Sequence, residues 1–148
     1  MKFDTAKVLA ELGINDVNPG AYCSDMGWSP VEGRVTFDAI DPANDEKTAS
    51  VASATQEDYD QIIQCAVESQ KKWRMVPAPE RGKFIARLAQ LMTENLDALS
   101  AIVAIDTGKS VMEGRSELVE SIDMANLAAG QSRMLYGFTQ QSQRAKHR

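Results

Sequence analysis

One histidine, His147, and two cysteines, Cys23 and Cys65, are all that this 148-residue chain offers of the commonest catalytic and zinc-binding side chains. A single histidine excludes a His-rich metal centre and argues against a Ser-His-Asp or Cys-His arrangement. The cysteines lie too far apart in sequence to match a metal-ligand spacing, and in a reducing cytosol both stay thiols. No apolar run approaches the roughly 20 residues that cross a bilayer, so no membrane partner is expected. The N-terminus, Met-Lys-Phe-Asp-Thr-Ala-Lys-Val-Leu-Ala-Glu-Leu-Gly-Ile, is charged throughout and lacks the apolar core of a secretory leader. A cytoplasmic location is the expectation. Positive charge is also short: 16 basic against 21 acidic residues give a net charge of -5, the wrong sign for a nucleic-acid partner. Basic residues cluster only at Arg144, Lys146, His147 and Arg148, where a solvated tail is expected.

What is present suits a globular chain: 43% hydrophobic and 25% charged residues are enough to build a core. The order of the signals divides the chain into an N-terminal helix and loop (1–33), a β-hairpin (34–53), a helical region (54–137) and a tail (138–148). Phe3, Val8, Leu9 and Leu12 line one side of a first helix that Gly13 ends. Residues 14–33, rich in Asn, Gly, Ser and Pro, have loop composition. The runs 34–41 and 47–53, joined by Pro42-Ala-Asn-Asp45, read as a hairpin.

From residue 55 the period becomes helical. Thr55-Gln-Glu-Asp58 is a capping arrangement, and Tyr59, Ile62, Ile63, Ala66, Val67, Gln70 and Trp73 form the expected apolar stripe. Pro77 and Pro79 separate this helix from the next, whose stripe is Phe84, Ile85, Leu88, Leu91 and Met92. That stripe continues after a bend near Asn95 as Leu96, Leu99, Ile102 and Val103, up to Gly108. Ser110-Val-Met-Glu113 is a second capping box, opening a long helix through Met134 with Gly137 as its end. Leu118, Ile122, Ala125 and Ala129 are spaced for burial, and Gly114, Ala128 and Gly130 permit close neighbours.

Few groups offer chemistry. There is neither G-x-G-x-x-G nor G-x-x-x-x-G-K-[ST], and Gly108-Lys-Ser110 reads as a junction between helices rather than a phosphate loop. Cys65 belongs on a helix face as a buried thiol, whereas Cys23, in a loop, is open to reaction but has no visible base. Glu113, Glu117 and Glu120 share a helix face offset from the core. Composition alone favours a solvated surface there; a carboxylate lining a polar cleft is the sharper alternative.

Trp73-Arg-Met-Val-Pro-Ala-Pro-Glu-Arg-Gly82, Asp106-Thr-Gly-Lys109, Glu113-Gly114 and Gly130-Gln-Ser-Arg-Met-Leu-Tyr-Gly137 carry a resemblance. With Leu12-Gly-Ile14 and Asp41-Pro-Ala-Asn44, they make the chain similar to the N-terminal region of the aldehyde dehydrogenase superfamily. It most resembles the antiquitin-like branch, the α-aminoadipic semialdehyde (piperideine-6-carboxylate) dehydrogenases. The resemblance implies a mainly α chain with an N-terminal β-hairpin, an incomplete N-terminal portion of a three-domain α/β fold. It implies NAD(P)-dependent oxidation of an aldehyde to an acid by a cysteine nucleophile, in a dimeric or tetrameric enzyme of the kind used in lysine catabolism. The family's oxyanion asparagine segment, cofactor turn, glutamate base and Gly-Gln-x-Cys segment do not occur in these 148 residues. The family's Pro-Gly-His-Arg is here Ala145-Lys-His-Arg148.

The expectation is therefore no catalytic and no cofactor-binding residue in this chain, with NAD(P) the cofactor of the parent family only. Whether the chain is an enzyme in its own right stays open. The partners expected are the remainder of the dehydrogenase or homologous subunits, in a homo-oligomer. An alternative is a stand-alone helical interaction module that pairs with full-length subunits. The resemblance also assigns two residues. The long helix lines the family's substrate tunnel, with Glu120 where the branch contacts the aminoadipate end of its substrate. Asp106 stands where some members bind a monovalent cation.

Overall fold

The computed structural model describes residues 4–137; Phe3 and the tail expectation lie outside them. Ten elements follow in order: α1 Thr5–Glu11, β1 Val17–Pro19, β2 Tyr22–Cys23, β3 Gly27–Trp28, β4 Thr36–Asp41, β5 Glu46–Ala52, α2 Gln56–Trp73, α3 Ala78–Glu94, α4 Leu96–Thr107 and α5 Val111–Gln131. Asp4 caps α1 by accepting from the Lys7 N–H at 3.1 Å.

The hairpin forms where the two extended runs stand. β4 and β5 pair antiparallel from Thr36↔Ala52 to Asp41↔Glu46, with a bulge at Ala39/Ile40. Two side chains hold its turn: Asp41 accepts from the Ala43 N–H and Asn44 from the Glu46 N–H, each at 2.8 Å. The region read as loop is a correction. Residues 14–33 contain β1, which adds to β5 in parallel (Val17↔Ser50), and the separate two-stranded hairpin β2–β3. The sheet order is thus β1-β5-β4. Sequence periodicity could not announce a three-residue strand whose partner lies some thirty residues on.

Both capping boxes are complete. Thr55 and Asp58, and Ser110 and Glu113, each exchange side-chain and backbone hydrogen bonds. The bend at Asn95 is a 77° break between α3 and α4. Gly108, at φ 71°, ends α4 in the left-handed conformation that costs glycine least. The long helix ends at Gln131, capped by Ser132, and does not run through Met134 to Gly137 as expected. Among the described residues no single helix is long and apolar enough to cross a membrane.

The core lies where α3 and α4 pack on α5 and where α1 and α4 meet the sheet. It is built from small side chains: Ala49, Ala52, Ala89, Ala98, Ala101, Ala104 and Ile105 are buried, and the largest fully buried side chains are Ser50 and Ser100. Close approach of helix backbones explains this. A Cβ on Gly114 would stand 3.0 Å from the Ser100 carbonyl oxygen, and one on Gly82 would stand 2.3 Å from Ser132 Oγ. Gly82 was not foreseen as a contact glycine, while Gly130, which was, faces open space.

The apolar stripes on α2 and α3 differ from expectation. On α2 Asp58 and Cys65 are buried and Ile62 half-buried, whereas Tyr59, Ile63, Val67 and Trp73 are exposed. On α3 it is Gly82 and Ala89 that are buried, while Phe84, Ile85, Leu88 and Leu91 face outward. Trp73 and Phe84 contact each other edge to face, ring centroids 5.4 Å apart. The stripes are real amphipathic faces, but the described residues do not cover them. α5 conforms better, its expected stripe of Leu118, Ile122, Ala125 and Ala129 being half-buried.

Candidate functional site

Three carboxylates on one face of α5 were singled out from spacing, and the structure separates them by what each one does. Glu113 is occupied at the helix start, where its carboxylate accepts the Ser110 N–H at 2.9 Å. The Ser110 N–H, then the Ser110 hydroxyl, and more weakly Lys109, hold it below the ordinary carboxylate range against some desolvation. Glu117 is taken by Lys109, whose Nζ lies 2.6 Å from Oε1. Glu120 is exposed, and among the described residues none of the ion pairs includes it. Of the three it is the carboxylate with no hydrogen-bond or ion-pair partner among the described residues. Met124 and Leu127, one and two turns on, share its helix face and are exposed too. An unpaired carboxylate beside apolar side chains is suited to a ligand carrying both a cationic group and a methylene chain.

Lys109 and Ser110 are engaged in the same contacts. Gly108-Lys-Ser110 is thus a helix junction with its polar groups spoken for, as the sequence suggested.

Asp106 lies two residues before Gly108, in the last turn of α4. It borders a cavity of about 430 Å³ between α1, α4 and the sheet, which Leu9, Ile14, Ala49 and Val51 make mainly apolar. Asn18 and Thr48 also border the cavity, but Asn18 already bonds the Asn15 N–H and carbonyl and the Ser50 carbonyl, and the Thr48 hydroxyl donates to Ala39. No group of three or more His, Cys, Asp or Glu side chains suited to a metal converges among the described residues. One carboxylate with two occupied neighbours is a weak cation site by itself.

The two thiols are placed where sequence reasoning was half right. Cys65 is buried, as its helix position implied, but Cys23 is buried as well and is not the open loop thiol expected. The reason is the unforeseen hairpin β2–β3, which presents Cys23 toward α2 and leaves Tyr22 and Trp28 outside, ring to ring at 5.0 Å. Ser24 Oγ stands 3.3 Å from Cys65 Sγ. Two turns earlier on α2, Asp58 forms a mostly buried ion pair with Arg34: Nη1 lies 2.9 Å from Oδ2, and Nη2 donates to Oδ1 at 3.3 Å. Asp58 is held below its usual range, first by the Thr55 N–H and then by the Arg34 charge, against desolvation. This pair joins the start of β4 to the start of α2, a structural contact that sequence spacing did not reveal.

The aldehyde dehydrogenase family profile matches residues 28–148. The chain is 34% identical to aldehyde dehydrogenase family 7 member A1 of Pisum sativum, over 94% of this chain and 27% of that protein. It is 34% identical to the α-aminoadipic semialdehyde dehydrogenase of Bos taurus, over 94% of this chain and 25% of that one. Among solved structures, betaine aldehyde dehydrogenase of Staphylococcus aureus in complex with NAD+ superposes with a TM-score of 0.74. Identity there is 25%, covering 85% of this chain and 25% of that chain. Lactaldehyde dehydrogenase of Escherichia coli shares the fold at a TM-score of 0.76 and 22% identity, over 88% of this chain and 27% of that one. The chain spans about a quarter of the length of the relatives it matches, and its mainly helical fold with a β-hairpin is a part of theirs. It belongs to the aldehyde dehydrogenase family, with family 7 and α-aminoadipic semialdehyde dehydrogenases among its relatives.

Proposed function

We propose that this chain is the N-terminal portion of an NAD(P)-dependent aldehyde dehydrogenase that oxidises an α-aminoadipic-semialdehyde-like substrate, and that it does not catalyse this reaction alone. The observation that carries the reading is 34% identity to an α-aminoadipic semialdehyde dehydrogenase over 94% of the chain but 25% of that protein. The chemistry points the same way. Thioester formation needs an accessible thiolate beside a bound nicotinamide. Neither thiol here lies in a Gly-Gln-x-Cys segment. The nucleophile, the glutamate base and the NAD(P) cradle then come from the other three quarters of the relatives' length.

Within that enzyme Glu120 is the substrate-contacting residue of this portion. Its free carboxylate meets the cationic amine of the aldehyde, and Met124 and Leu127 line the methylene chain. When later polypeptide covers α5, loss of water around Glu120 strengthens the attraction to a paired ammonium and penalises an unpaired one. Asp106 is a minor candidate for a monovalent cation, completed by backbone oxygens. The expected setting is cytoplasmic and oligomeric, with the exposed apolar faces of α2 and α3 covered by other polypeptide. Those faces also favour the second reading, a helical module that docks on full-length subunits.

The test is reconstitution. Residues 1–148 are joined to the remaining portion of the pea relative, and NADH formation is followed with α-aminoadipic semialdehyde and with betaine aldehyde. Turnover favouring the former, with Glu120→Gln raising its KM by about tenfold and leaving that for betaine aldehyde unchanged, is expected. Equal KM values in parent and variant would remove Glu120 from the site, and a preference for betaine aldehyde would overturn the substrate assignment.

A further inference from the structure

The thiol cluster under the β2–β3 hairpin plays no part in the dehydrogenase reading, yet it brings two sulfurs from distant parts of the chain to one interface. Cys23 ends β2 and Cys65 lies in the middle of α2; both are buried, with relative exposures of 7% and 9%. The hairpin is the contact through which β2 meets α2. Ser24, the next residue after Cys23, places its hydroxyl oxygen 3.3 Å from Cys65 Sγ. Because neighbouring Cα atoms are about 3.8 Å apart, the Cys23 backbone is one peptide from that contact. We propose that Cys23 and Cys65 are a peroxide-sensitive dithiol that closes to a disulfide tying the β2–β3 hairpin to α2.

The surroundings determine which sulfur reacts first. The Ser24 hydroxyl lowers the Cys65 thiol pKa most, followed by the Cys23 thiol and the Asp25 N–H, against desolvation and the Asp25 carboxylate. These contacts favour the Cys65 thiolate. Its sulfur attacks the distal oxygen of a hydroperoxide, the O–O bond breaks, and the leaving alkoxide or hydroxide takes up the thiol's proton. This gives a Cys65 sulfenic acid and an alcohol or water. The Cys23 thiol then attacks that sulfur. The S–O bond breaks, the hydroxyl leaves as water with the Cys23 proton, and the S–S bond forms. Two thiols are oxidised and one hydroperoxide is reduced. A thiol reductant such as glutathione reverses the closure by exchange.

A reactive dithiol and a pair of inert core thiols differ in what peroxide does. The purified full-length chain is treated with hydrogen peroxide, alkylated, digested without reduction and analysed by mass spectrometry. Expected are a loss of about 2 Da per chain, a Cys23–Cys65 linked peptide within single chains, and recovery of both thiols with dithiothreitol. Once Cys65 is a sulfenic acid, the folded chain should close about tenfold faster than the same chain in urea, because folding places the sulfurs together. Cys23→Ser should stop the reaction at a Cys65 sulfenic acid that dimedone traps, and Ser24→Ala should slow the first step severalfold. Should Cys23→Ser fold poorly, the folded-to-urea rate ratio decides by itself. A ratio near one, cross-links mainly between chains, or thiols that resist peroxide in the folded chain would each overturn the proposal.

Discussion

Replacing one helical glycine at a time with alanine separates the three glycines of the α3–α5 region by sign. On an open helix surface, glycine to alanine gains about 0.5–1 kcal/mol, because alanine has less backbone entropy to lose. Gly130 is such a case, since nothing lies within 4 Å of an added Cβ. Gly82→Ala receives the same gain but places a carbon 2.3 Å from Ser132 Oγ, 2.9 Å from Ser132 Cβ and 3.2 Å from the Ala129 carbonyl oxygen. The hydroxyl can rotate away, whereas the Cβ and the carbonyl move only if α5 moves. Overpacking of this kind costs about 1–3 kcal/mol, so the net change is a loss of up to about 2.5 kcal/mol. Gly114→Ala falls between, with contacts of 3.0 Å to the Ser100 carbonyl oxygen and 3.3 Å to Val103 Cγ1, which small shifts relieve. Its net effect is a loss of up to about 1 kcal/mol. Urea unfolding of dilute protein followed by circular dichroism gives the order Gly130→Ala, parent, Gly114→Ala, Gly82→Ala in falling stability. If Gly82→Ala stabilised as much as Gly130→Ala, the packing of α3 on α5 described here would be wrong.

Asp58→Asn should remove an acid-sensitive part of the stability. The folded-state pKa of Asp58 is depressed, so its contribution is present above the unfolded value near 3.8 and is lost as pH falls through the lower folded value. Parent and variant should therefore differ most above about pH 4 and converge below it in urea midpoints; a gap that widened with acid would contradict the sign. The uncovered faces of α2 and α3 should make the chain associate with rising concentration, and Val67→Lys with Leu88→Lys should reduce light scattering without loss of helix. A monodisperse parent at high concentration would count against the exposed faces. Glu120→Gln should change unfolding stability by less than about 0.5 kcal/mol, since the carboxylate has no partner to lose; a larger loss would mean a structural role.

The local punctuation of this fold was legible in the sequence. Thr55 and Asp58, Ser110 and Glu113, Asn95 and Gly108 mark helix ends by short-range hydrogen bonding, and Asp41-Pro-Ala-Asn44 marks the hairpin turn. Long-range pairings were not. β1 is too short to show a period, the Gly82–Ser132 contact joins residues fifty apart, and Arg34 finds Asp58 only after β4 and β5 fold back. Periodicity found the apolar faces of α2 and α3 but could not say that the described residues leave them open. At the candidate site, spacing grouped Glu113, Glu117 and Glu120, and only the contacts of Ser110 and Lys109 showed which of them is free. The burial of Cys23 depends on a hairpin of two-residue strands that no composition rule would detect.

The most direct measurement is calorimetric titration of purified residues 1–148 with NAD+, followed by an NADH assay with α-aminoadipic semialdehyde on the same sample. The expected result is no saturable heat and no NADH above the protein-free control. Micromolar binding together with turnover that survives further purification would show that the thiol and the dinucleotide cradle lie within this chain, and would contradict the account.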